Sequence, residues 1–248
     1  AIDRIEEQRD PSPLVTVLGF KGFMDGSLGS RTAWMLEPFA DAGTAGDPEN
    51  AGFPLALAAS GELRTLIGLA AERGLQPAVH AIGDRANRTL LDWYAELSAA
   101  RRAALRPRVE HAQHLHRDDL ARFAELGVVA SMQPLHKADD GRYAEARLGS
   151  ERCATSYAFR DLVDSGAVLA FGSDWPVVSC DPWRGIAAAV TARTLDGAVF
   201  VPAQSLSVEE ALRAYTTGAA FALHSEGFSG RLAPGFVADL VVLDDDPL

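Results

Sequence analysis

RPRVEHAQHLHRDDLARFAELGVVASMQP, residues 106–134, decides the fold. RPRVEHAQ (106–113) reads as a strand, DDLARFAELG (118–127) as a helix and VVASMQP (128–134) as a second strand. A strand, a helix and a strand in so short a stretch form a crossover unit, which makes the two strands parallel.

The same alternation continues on both sides. Upstream, LVTVLGFKGFMDG (14–26) is a buried strand, followed by a long Gly/Pro/Asp-rich loop over 27–59. GELRTLIGLAAERG (61–74) places Leu63, Leu66, Ile67 and Ala70 at helical spacing; Ser60 can cap it and Gly74 can end it. LQPAVHAIGD (75–84) is a strand, and ANRTLLDWYAELSAARRAAL (86–105) is one helix with Asp84 as its capping carboxylate. Downstream, a loop over 135–152 leads to the helix TSYAFRDLVDSG (155–166), the strand AVLAFGSDWP (167–176) and the helix PWRGIAAAVTARTL (182–195). A last helix, SVEEALRAYTTGAAFAL (207–223), opens on a Ser207-x-x-Glu210 capping box. Five strands alternating with helices predict an α/β fold with a parallel sheet. The tail differs: a Gly-Pro-Gly turn precedes ADLVVLD (238–244), a short strand that would pair outside the sheet.

Composition excludes some partners. The chain of 248 residues carries a net charge of −11, and its Lys and Arg residues are scattered singly. No basic face exists to displace counterions, so neither nucleic acid nor an anionic membrane is an expected partner. No apolar run approaches the roughly 20 residues that span a bilayer, and no signal peptide is visible. Cys153 and Cys180 have no metal-ribbon spacing and read as reduced thiols of a cytoplasmic protein. The chain opens on AIDRIEEQRD, without Met, as the later part of a longer protein would.

In parallel α/β folds the ligand site lies at the carboxyl ends of the strands. Those ends deliver Lys21 and Asp25, His80 and Asp84, His111, Gln133 and His136, and Asp174. Any one of them has a bland reading as a cap or a hydrogen-bonded core residue. Imidazoles, a carboxylate and a lysine from separate strand ends together make the inventory of a divalent-metal site. Strand alternation puts Lys21, Phe23 and Asp25 on one face and Ala170, Gly172 and Asp174 on another shared face. It also turns Glu110 away from His111, toward a structural partner. Residues 109–119 hold three of the six histidines; His111 is the candidate ligand, whereas His114 and His116 belong to the following helix start.

The chain resembles the amidohydrolase superfamily, in its YtcJ-like branch with the N-substituted formamide deformylases. FKGFMDGSLGSRTAWM, VHAIGDRANRTLLDWY, RVEHAQHL, ASMQPLH, FGSDWPV and GRLAPGFVADLVVLDDDPL carry the resemblance and fall in the family's order. It implies a (β/α)8 TIM barrel of the metal-dependent hydrolase type, here incomplete with about strands four to eight. Residues 1–224 would form that partial barrel, and 225–248 the return segment of a small β-sandwich domain. Lys21 matches the lysine that is carboxylated on its amine and bridges metals; His80, His111 and Asp174 match further metal ligands. His136 matches a position beside the substrate, and Asp25 and Gln133 join it as substrate-binding candidates. The family's H-x-H on its first strand has no counterpart before Lys21.

One or two divalent ions, zinc by its preference for nitrogen with carboxylate ligands, would serve hydrolysis of a C–N bond in a small amide or N-acyl compound. Asp174 would move the proton. Two other readings stay open: a phosphoester hydrolase on the same barrel, and a non-catalytic truncated barrel. In the second, unpaired strand edges would favour a homo-oligomer or assembly with another chain.

Overall fold

The computed structural model describes residues 15–248; Leu14 and the segment before it lie outside the described residues. Five parallel strands form one sheet in the order β1 (Gly19–Phe23), β2 (Gln76–Ala81), β3 (Arg108–His111), β4 (Val129–Met132) and β5 (Leu169–Phe171). Chain order equals spatial order, as right-handed crossovers in a barrel require. The sheet supplies five of the eight strands of the expected barrel.

Register separates the two faces. Gly22, Val79, Val109, Ala130 and Leu169 pair in one row across the sheet. That row packs on Leu63 and Ile67 of helix Glu62–Glu72, Leu90 and Leu91 of helix Asp84–Ala95, Phe123 of helix Leu120–Leu126 and Leu162 of helix Phe159–Asp164. Contact is close at the edge: a Cβ on Gly22 would fall 2.7 Å from Leu63 Cδ1. The opposite row runs Phe23, His80, Glu110, Ser131 and Ala170. Parallel partners point to the same side, so this row faces away from the helices.

Several expected elements differ. The helix expected over 86–105 is two, Asp84–Ala95 and Ala99–Leu105. Ser98 breaks it, because its hydroxyl accepts from Arg101 N and restarts the helix as an N-cap. Arg102 closes the first piece by donating to the carbonyls of Ala95 and Leu97. The last helix keeps its Ser207–Glu210 capping box but widens into a π turn over Ala214–Gly218. Gly218 lies against β5 there, where a Cβ would meet the Leu169 carbonyl at 2.1 Å. The loop over 135–152 is instead helical, as Pro134–Asp140, Ala144–Leu148 and Ser150–Cys153. Residues 238–244 form no strand, since none of the described strands lies beside them to complete a ladder. Among the described residues, no helix is long and apolar enough to cross a membrane.

Candidate metal site

The strand ends meet in a cleft of about 290 Å³ lined by His80, His111, His136 and Asp174, with Leu28, Gly29, Ile82, Gln113, Tyr143 and Val177 around them. His80 reaches it directly, from the row that faces away from the helices. Its Nε2 lies 2.9 Å from the Gly26 carbonyl, which only accepts, so Nε2 donates.

His111 arrives differently. It pairs with Ala81, in the row that packs on the helices. Its φ of 78° and that of Ala112, 44°, are left-handed. The turn swings the imidazole to 4.6 Å from the His80 ring, centroid to centroid. Strict alternation therefore misassigns its neighbour: Glu110 shares the row of His80 rather than opposing the cleft face. Its partners are structural as expected, Arg108 Nε at 2.8 Å and the Ser131 hydroxyl at 2.6 Å. A left-handed non-glycine residue costs roughly 1–3 kcal/mol and collects at functional sites. Asp174 shows the same feature, with φ of 56°, three residues past the end of β5.

The supporting contacts set the charge of the site. His111 Nδ1 lies 2.8 Å from Gln133 Oε1, so it donates, and Nε2 is left with its lone pair. Burial, then His80 and the Lys21 ammonium, push the His111 pKa down to about 3, so the ring is neutral at pH 7. Burial also lowers the pKa of His136, against the pull of Asp174 and Asp140. The His136 ring stacks on that of His111 at 6.0 Å. Ligand atoms of His111, His136 and Asp174 lie within 4.8 Å of one another, a group that holds the expected substrate contact His136 and does not include the expected ligand His80. A neutral His111 whose Nε2 keeps its lone pair, beside an exposed carboxylate, suits a divalent cation.

The other candidates take different places. Lys21 is exposed, with Nζ 5.1 Å above the Phe23 ring. Asp25 is buried and fully used: it accepts from Ile82 N (3.0 Å), Gly83 N (2.8 Å) and Trp34 N (2.8 Å). It ties β1 to the end of β2, and its Oδ1 also lies 3.4 Å from His80 Nε2. Gln133 likewise holds His111 rather than lining the cleft. Asp84 is the first residue of its helix, after an N-cap at Gly83, and its carboxylate binds the loop amide of Leu36 at 2.7 Å. His114 is buried on Ser156 Oγ (2.8 Å), and His116 accepts from Asp118 N at the next helix start.

Sequence reasoning missed the opposite wall. Asp140 is buried and accepts hydrogen bonds from the hydroxyls of Tyr143 and Tyr157. His136 and Asp140 are spaced i, i+4 on helix Pro134–Asp140, and Tyr143 follows at i+7 in the turn after it. That period in LHKADDGRY was the available signal.

The model of the amidohydrolase family matches residues 1–248. The protein LONG AFTER FAR-RED 3 of Arabidopsis thaliana is 41% identical over 229 residues, 91% of this chain and 38% of that protein. YtcJ of Bacillus subtilis is 34% identical over 251 residues, 100% of this chain and 46% of that protein. A solved metal-dependent hydrolase of uncharacterised role from Pyrococcus furiosus superposes with a TM-score of 0.83 at 35% identity, covering 99% of this chain and 49% of that one. The chain thus spans less than half the length of each.

Proposed function

The chain belongs to the amidohydrolase family, and from that premise we propose that it carries the later half of a metal-dependent site that hydrolyses a C–N bond in a small amide or N-acyl compound. One observation carries the reading: His111, neutral and with Nδ1 committed to Gln133, presents Nε2 to a cluster that includes the Asp174 carboxylate.

His80 through Nδ1, His111 through Nε2 and Asp174 would hold the ion, with Lys21 joining if its amine is carboxylated. Zinc fits this nitrogen and carboxylate set. A bound divalent ion supplies a Lewis acid that polarises a carbonyl and acidifies water. The residues supply the rest. Asp174, exposed at the cleft mouth, accepts the proton of the attacking water and returns it to the leaving amine. Leu28, Ile82 and Val177 give the cleft apolar surface against which a small organic substrate loses water.

The test loads the purified chain with zinc, counts bound metal, and follows amine release from a panel of N-formyl and N-acyl amines. We expect Asp174→Asn to lose at least ~100-fold in turnover while retaining zinc. A wild-type chain that binds no zinc would overturn the reading. Wild-type turnover in Asp174→Asn would remove Asp174 as the proton carrier.

A further inference from the structure

Two glutamines meet two histidines in this cleft with opposite polarity. Gln133 donates its Nε2 to the Ser131 carbonyl at 3.3 Å, which turns Oε1 toward His111 Nδ1. Gln113 does the reverse: its Nε2 lies 3.5 Å from His136 Nδ1. We infer that Gln113 is a positioning residue that keeps the His136 proton on Nε2, so this imidazole donates to the substrate's carbonyl oxygen and stays out of the metal-ligand set. The inference deepens the hydrolase reading above and rests on it.

An amide nitrogen has only protons to offer, so His136 Nδ1 must accept. A neutral ring carries one proton, which is then on Nε2. A ring whose Nδ1 accepts cannot be the imidazolium, which carries a proton on both nitrogens. His136 is 8% exposed, and its Nε2 finds no partner among the described residues. A buried N–H without an acceptor is costly, and native structures rarely leave one unless a ligand completes it. His136 lines the cleft, and its nearest ligand atom is within 4.8 Å of those of His111 and Asp174. A carbonyl oxygen bound in that cleft is the acceptor that the unpartnered Nε2 proton lacks. A fixed donor at that oxygen stabilises the charge that develops on it during attack. Distance alone groups His136 with His111 and Asp174 as a ligand; proton placement separates them.

The test reads tautomers directly. The metal-free chain, labelled with 15N-histidine, is examined at pH 7 by the two-bond proton–nitrogen spectrum, which separates protonated from unprotonated ring nitrogens. The His136 signals are assigned by their loss in His136→Gln. We expect Nε2–H at His136 and Nδ1–H at His111; an Nδ1 proton at His136 overturns the inference. In Gln113→Glu the carboxylate should draw the proton to Nδ1 at His136 alone. That frees Nε2 as an added ligand and tightens the zinc Kd ~10-fold. An unmoved proton, or zinc affinity that stays the same or falls, overturns it.

Gln113 is buried, so a Glu variant that does not fold is replaced by Gln113→Met. Mixed tautomers are expected there, and a pure Nε2–H form overturns the inference. Failure of the hydrolase reading looks different: zinc does not bind the wild type while the tautomers stand as inferred.

Discussion

His111 at the centre of the sheet and Lys21 at its β1 edge are candidates for one site, and the fold prepares them differently. His111 has a paired strand on either side, a left-handed backbone that aims it, a glutamine that fixes its proton and 7% exposure. Among the described residues, Lys21 has β2 beside its strand, an exposed side chain and its Nζ 5.1 Å above the Phe23 ring. The comparison teaches that metal-ligand chemistry needs more than the right residue type at a strand end. Neighbours on both sides must remove the side chain's freedom before a cation arrives. The largest effect should follow from breaking the prepared member. We expect His111→Ala to weaken zinc binding by at least ~100-fold, more than loss of a supporting residue costs. A chelator-competition titration measures it. A loss below tenfold would mean that the centre of the sheet is no better prepared than its edge.

The same contrast explains what could be read from the amino acids alone. The five strands and their parallel order were legible, because each strand is a short local run bounded by turn residues. His80 was legible as an inward residue, because β2 is extended there and alternation holds. His111 was legible as a strand-end candidate, but the turn that carries it to the cleft was not, since alternation assumes extended backbone and Ala112 and His111 are left-handed. Asp25 was legible as a polar group at a strand end, but its three amide partners come from distant segments. Sequence does not show which donors a carboxylate will meet. The breaks at Ser98 and at residues 214–218 were hidden for a related reason. Both depend on what packs nearby, the capping hydroxyl in one case and the Leu169 carbonyl in the other.

A second way to sharpen the comparison uses acid. His114 is fully buried on Ser156, and burial, with a smaller contribution from Arg152, holds its pKa down to about 3. Above pH 6.5 folded and unfolded chains both keep it neutral, and it contributes no pH dependence. Below 6.5 the unfolded chain takes up a proton that the folded chain refuses, so stability falls as pH falls, until the folded ring itself titrates near 3. At pH 5 this one residue should cost about 2 kcal/mol relative to pH 7. His114→Gln removes the titrating group, and its urea-unfolding free energy should therefore lose about 2 kcal/mol less over the same interval. Equal losses in both proteins would show that the buried imidazole takes up a proton while folded, against the desolvation assigned to it.

The smallest expected effect lies at the edge. The Lys21 ammonium counts among the charges that depress the His111 pKa, so it opposes a cation at the same imidazole. Its side chain is exposed, and water screens that opposition. In buffer stripped of carbon dioxide, Lys21→Met should therefore tighten the zinc Kd by no more than ~3-fold. Adding bicarbonate reverses the sign if the amine is carboxylated: the wild type gains an anionic ligand that methionine cannot form, and its affinity should pass that of the variant. The edge lysine would then be prepared by chemistry rather than by packing. Tighter binding by the wild type in both buffers would mean that the free lysine already holds the ion, which an ammonium cannot do. The contrast between the centre of the sheet and its edge would fail at its weaker end.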